Sequence, residues 1–125
     1  MWNNELYEKV CYQENLYNNY VSRDGKAEAD TYSARAGHSE HQTGLAVDVG
    51  SSNNTFSGFK YTDEYDWVKD NAHLYGFIVR YEEGKEWITG YMAEAWHLRY
   101  VGVEAATYIY ENDITFDEYY VKFVE

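Results

Sequence analysis

The chain alternates between stretches where apolar residues recur every three or four positions and stretches where they recur every second one. Residues 3–22 follow the first rule. Leu6, Tyr7, Val10, Cys11, Tyr17 and Val21 fall on one side of a predicted helix, with Asn3 or Asn4 as its N-cap. Gly25, within Arg23-Asp24-Gly25-Lys26, supplies the left-handed turn that stops it. Residues 26–40 are polar and offer little from which to build a core. The period then changes to two. Leu45, Val47 and Val49 point one way and Ala46 and Asp48 the other, which predicts a short strand.

Residues 50–58 read as a Ser/Asn/Gly loop without the spacing of a phosphate cradle. Thr62 is expected to cap a second helix, with Tyr65, Val68 and Ala72 inward and Gly76 closing it. Residues 77–81 are rich in β-formers. Residues 82–85, with Gly84, are expected to form a hairpin connection, and residues 86–90 the returning strand. Residues 96–101 make a further extended stretch. Two helices finish the chain, one over residues 103–110 and one opened by a capping box of Thr115 and Glu118. Strands bracketed by helices, without βαβ alternation, predict an α+β fold. Its small antiparallel sheet is flanked by helices in a single domain covering residues 1–125.

Composition narrows the function. A chain of 125 residues supports one core of normal size. Ten basic against 22 acidic residues give a net charge of −12, a field that repels phosphate backbones and argues against a nucleic-acid partner. No apolar run approaches the ~20 residues of a membrane span. The start, Met1-Trp2-Asn3-Asn4-Glu5, lacks the basic and apolar stretches of a signal peptide. The single cysteine, Cys11, excludes an intrachain disulfide and reads as a small buried hydrophobe on the first helix. The chain has 15 tyrosines and no proline. Those rings either fill a half-buried β surface or line a groove for sugar or peptide.

The candidate chemistry lies in a few side chains far apart in order. His41 and Asp48 flank a turn and the first strand, while Glu94 and His97 stand three apart around Trp96. Two imidazoles and one carboxylate are a common zinc ligand set that leaves a fourth position for water. A further carboxylate close by, not itself a ligand, is what a zinc hydrolase uses as general base. Taken singly, each residue is ordinary: a lone histidine is more often core or surface, and a Glu and a His three apart often share a solvated helix face. His38, three residues before His41, reads as a possible cleft residue, and His73 as a helix-end residue that is exposed or meets the dipole.

The joint pattern is more specific. Residues 39–48 spell S-x-H-x-x-G-x-A-x-D, and residues 94–97 spell E-x-W-H. With Tyr12-Gln13 and residues 16–21, 29–34 and 96–102, they give the chain a family likeness from Tyr12 onward. It resembles the zinc D,D- and L,D-carboxypeptidases of bacterial peptidoglycan, of VanY and LdcB type, whose fold is shared with the hedgehog signalling domain. The resemblance implies one Zn²⁺ per chain on His41, Asp48 and His97, with Glu94 as catalytic base. It also implies a stem peptide ending in D-alanine as substrate, and a place of work outside the cytoplasmic membrane. Ser39 would help shape the site, with Gln13, Arg35, Trp96 and Arg99 as the other substrate-binding candidates. A free carboxylate calls for a bidentate arginine or a lysine. Arg35 is favoured; Arg99 shares the face of His97 or else makes a structural salt bridge; Arg80 and Lys85 stand behind them.

Two departures qualify this. Ala95 stands where the family usually has proline. The family also carries an S-x-Y-R-S-like segment just upstream of the Tyr-Gln pair, whose arginine stabilises the oxyanion or grips the substrate. Here that stretch is Leu6-Tyr7-Glu8-Lys9-Val10-Cys11, and no arginine precedes Arg23. The front of the chain is therefore truncated or rearranged relative to the family, or another cation takes the role. Losing one oxyanion donor typically costs ~10²–10³ in rate. The alternative reading is a catalytically weakened module of the same fold that binds cell-wall peptides.

Overall fold

The computed structural model describes the backbone of residues 4–124 and the side chains of residues 11–124. The expected cap at Asn3, and the facing of Leu6, Tyr7 and Val10, lie outside the described residues. The chain divides into two compact units, up to Gly44 and from Leu45 onward.

In the first unit α1 (Asn4–Asp24) ends where Gly25 turns left-handed at φ 85° and donates its N–H to the Val21 carbonyl at 2.9 Å. A single turn follows as α2 (Lys26–Ala29). The polar stretch after it does more than the sequence suggests, because Ala29 is fully buried and Ser33 nearly so. Polar side chains of α1 hold that segment in place. The Tyr17 hydroxyl donates to Asp30 Oδ1 at 2.5 Å, and the Gln13 amide donates to the Ala34 carbonyl.

Asp30 is also gripped by Arg35, whose Nε and Nη2 lie 3.1 and 2.7 Å from its two oxygens. The Arg35 guanidinium, and after it the Tyr17 hydroxyl, hold the Asp30 carboxyl down at about 2. In the unfolded chain it titrates near 3.9, so this contribution is complete above about pH 4 and is lost as pH falls toward 2. Asp30→Asn is expected to remove that part of the acid sensitivity. Unfolding midpoints compared between about pH 5 and pH 2 should shift less in the variant than in the parent chain.

The second unit is built on an antiparallel sheet of three strands among the described residues. They are β1 (Ala46–Asp48), β2 (Phe77–Tyr81) and β3 (Glu94–Tyr100), in the order β1-β3-β2. β1 pairs Ala46 with Arg99 and Asp48 with His97; β2 pairs Phe77 with Tyr100 and Val79 with Leu98. Between β1 and β2 run a 3-10 segment (Phe56–Tyr61) and α3 (Asp63–Asn71). The Thr62 hydroxyl caps α3 as expected, accepting from the Tyr65 N–H at 3.2 Å. Gly76 ends the region at φ 83°, where an added Cβ would stand 2.6 Å from the Tyr100 ring. After β2 comes a helical turn, α4 (Glu86–Thr89), and the C-terminal helices are α5 (Val103–Asn112) and α6 (Phe116–Phe123). Ala106 and Ile109 of α5 close over Ile78, with Val101, Ile114, Phe116 and Tyr119 around them. The Thr115 capping box forms, with the Thr115 N–H donating to Glu118 Oε2 at 2.7 Å and the Glu118 N–H returning to Thr115 Oγ1 at 3.1 Å.

One expectation is corrected and another narrowed. Residues 86–90 are not a returning strand: Glu86–Thr89 form a helical turn, and the partner of β2 is β3. Trp87, Ile88 and Thr89 favour strands by type, but such preference yields to context. Here the backbone bonds are satisfied locally, Ile88 N–H to Lys85 and Gly90 N–H to Glu86, both at 2.9 Å. His73 stands, as expected, in the last turn of a helical segment, the 3-10 turn Ala72–Tyr75, but it is not plainly exposed. Its ring is half-buried and stacked on Tyr110, with centroids 3.8 Å apart and planes within 7°.

Candidate metal centre

Strand pairing explains why Asp48 and His97 meet. Val49 N–H bonds Trp96 O at 2.9 Å and Tyr100 N–H bonds Leu45 O at 2.8 Å. Those bonds alternate with Asp48↔His97, which is therefore a non-hydrogen-bonded pair, the spacing at which facing side chains lie closest. His97 Nδ1 stands 3.9 Å from Asp48 Oδ1.

Glu94 reaches the same imidazole through an irregularity. In a regular strand, residues three apart face opposite sides. Opposite β3, however, β2 takes two steps from Val79 to Tyr81, while β3 takes four from Leu98 back to Glu94. The extra residues turn the start of β3, and Glu94 Oε2 comes to 3.3 Å from His97 Nδ1. The His97 side chain is 6% exposed and that of Glu94 14%. Tyr81 sets its ring edge-on to the His97 imidazole at 4.9 Å and so fixes its plane.

A buried imidazole nitrogen with one largely buried carboxylate at 3.3 Å and one solvent-facing carboxylate at 3.9 Å is a donor set that a divalent cation can use. Within the second unit the donors, an imidazole nitrogen and carboxylate oxygens, suit zinc. His41 sits in the 3-10 turn Glu40–Thr43, whose end requires Gly44 at φ 75°. Gly37 and Ser39 shape the approach to that turn by donating their N–H groups to the Gln42 side chain at 3.0 and 3.3 Å.

Of the other sequence candidates, Arg99 lies on the face of His97, with its guanidinium 5.3 Å from the Phe116 ring centre. Trp96 is half-buried beside Phe56, their ring centres 6.4 Å apart. Gln13 and Arg35 make the bonds within the first unit described above. His38 is exposed, its Nδ1 3.0 Å from the Ala36 carbonyl. Arg80 is engaged by Asp117 at 2.6 Å, and the Lys85 ammonium donates to the Asp113 carbonyl at 2.8 Å. Ala95 sits buried within β3 rather than in a loop. Tyr81 was not legible in advance; its sole signal is its place at the end of β2, opposite Glu94.

The chain is similar to several known proteins. The family model for VanY, D-alanyl-D-alanine carboxypeptidase, matches residues 5–103. The putative carboxypeptidase YodJ of Bacillus subtilis is 49% identical over 113 residues, which are 88% of this chain and 41% of that protein. A solved structure of the L,D-carboxypeptidase LdcB superposes with a TM-score of 0.84 at 46% identity, covering 90% of this chain and 54% of that one. A VanY D,D-pentapeptidase variant from a VanB-type resistance cassette, solved with Zn(II), gives a TM-score of 0.68 at 42% identity, covering 93% and 62%. The chain thus spans less than two thirds of the length of each.

Proposed function

Because the chain belongs to the VanY family of D-alanyl-D-alanine carboxypeptidases, we propose that it removes the C-terminal D-alanine from peptidoglycan stem peptides. The bond cut is D-Ala-D-Ala or L-Lys-D-Ala, and residues 1–125 are the catalytic part. One zinc ion would be held by His41, Asp48 and His97. When bound it polarises the scissile carbonyl and makes water acidic enough to ionise near pH ~7. Glu94 accepts the proton of the attacking water and passes it to the leaving amine of D-alanine. The observation that carries this reading is the approach of Glu94 to His97 across from Asp48. A purely structural metal site has no use for a second carboxylate beside its ligands.

The substrate carboxylate needs a cation or backbone N–H groups. Arg99 and Arg35 are the proposed partners, with Gln13, Ser39 and Trp96 shaping the rest of the pocket. Its setting would be outside the cytoplasmic membrane, where peptidoglycan lies; among the described residues no helix is long and apolar enough to cross a membrane.

The test is release of D-alanine from a tetrapeptide ending in L-Lys-D-Ala and a pentapeptide ending in D-Ala-D-Ala. Release from at least one is expected, abolished by a chelator and restored by added zinc. A second reading, a cell-wall peptide-binding module, is favoured by the engagement of Arg35, Arg80 and Lys85 in ion pairs of their own. Stoichiometric zinc with no release from either peptide would establish that reading instead.

A further inference from the structure

The second unit buries one charge close to the metal centre. The Arg80 side chain on β2 is 10% exposed, and its guanidinium grips Asp117 of α6 with two bonds, Nη1 to Oδ2 at 2.6 Å and Nη2 to Oδ1 at 3.3 Å. The same guanidinium lies over the Tyr81 ring, 4.9 Å from its centre, and 5.4 Å from that of Phe116. Tyr81 is 8% exposed, leans on Tyr91 with ring centres 5.1 Å apart and stands opposite Glu94 in the strand register. Its other neighbour is the His97 imidazole, edge-on at 4.9 Å. Contacts therefore run without a gap from Asp117 through Arg80 and Tyr81 to His97. They begin in α6, which lies past residue 103, where the family match ends.

An imidazole binds a cation through a nitrogen lone pair that lies in its ring plane, and rotation about Cβ–Cγ has little torsional preference of its own. The plane of His97 is therefore set by packing, in which Tyr81 takes part. Tyr81 is held in turn by Arg80, and Arg80 keeps its place over the ring only while its charge is paired. A buried guanidinium without its carboxylate turns toward water, because burying it alone is costly. Asp117 supplies the pairing from the first turn of α6, which the Thr115–Glu118 capping box fixes.

We propose that Arg80 and Asp117 are positioning residues of the metal centre, acting through Tyr81 to hold the His97 imidazole in the plane that zinc requires. This rests on the reading of His97 as a zinc ligand and not on any hydrolysis. It makes α6, beyond the residues matched by the family model, part of what tunes the site.

The test measures the zinc dissociation constant of the full chain by competition with a chromophoric chelator, at a temperature below the thermal midpoint of every variant. Tyr81→Leu, Asp117→Asn and Arg80→Met are each expected to weaken zinc binding ~10-fold or more, the scale usual for partners that orient a metal-bound histidine. Tyr81→Phe keeps the ring and should bind zinc as the parent does. Charge by itself predicts a different pattern, in which losing the carboxylate weakens zinc binding and losing the guanidinium tightens it. The double variant Asp117→Asn/Tyr81→Leu should bind no more weakly than Tyr81→Leu alone. Ile109→Val, a core change away from these contacts, should lower the thermal midpoint and leave zinc affinity unchanged. Tighter binding by Arg80→Met, additive losses in the double variant, or parent-like affinity in Asp117→Asn would each overturn the proposal. Those results leave the metal centre itself standing, whereas a parent chain that binds no zinc would overturn both.

Discussion

Replacing Glu94 by glutamine is expected to slow D-alanine release by ~10²–10⁴-fold, the range a positioned general base supplies. Zinc content should stay at the level of the parent chain. The amide keeps the volume and the place of Glu94 at the start of β3, but it cannot take a proton from water. Its contact with His97 Nδ1, 3.3 Å in the parent, remains available as a hydrogen bond. The result is therefore a fall in kcat with intact metal binding, read by D-alanine assay and metal analysis on the same sample. A variant that lost its zinc would make Glu94 a ligand. One that kept full activity would remove it from the chemistry.

The second large effect falls on stability. Phe59→Ala is expected to cost ~3–5 kcal/mol, the usual penalty for emptying a buried phenylalanine site. Phe59 is 1% exposed and meets Tyr65 edge-on with ring centres 5.7 Å apart. Its carbonyl accepts from the N–H and the hydroxyl of Thr62, at 3.1 and 2.7 Å, and Thr62 in turn caps α3. A loss of that size is a large part of the ~5–15 kcal/mol that holds a domain together. It would appear in urea unfolding as a lower midpoint at nearly constant slope. A change below about 1 kcal/mol would mean that the 3-10 segment collapses around the missing ring.

Phe59 also shows where pattern reading stops. Residues 50–58 read as loop because Ser, Asn and Gly dominate, and a 3-10 segment of six residues has no period long enough to see. The helices with end signals were legible: Thr62, Gly76 and the Thr115–Glu118 pair all make the caps their types predict. Residues 86–90 failed for the opposite reason. Trp87, Ile88 and Thr89 are β-formers, yet that preference yields to context, and here Ile88 and Gly90 bond back to Lys85 and Glu86 as a helical turn. In the polar stretch after α1, the small Ala29 and the bonded Ser33 are buried without any apolar run to announce them.

From the amino-acid order alone came the family likeness, the identity of His41, Asp48, Glu94 and His97, and the α+β class. Motif residues, caps and periodicity are local properties that a linear string carries whole. What needed three dimensions was the way Glu94 meets His97. By strand alternation those two residues belong on opposite faces, and only the slipped pairing of β3 against β2 puts them together. The same holds for the contacts from α6 to the imidazole, since Arg80 and Asp117 stand 37 residues apart and meet only through packing between distant segments.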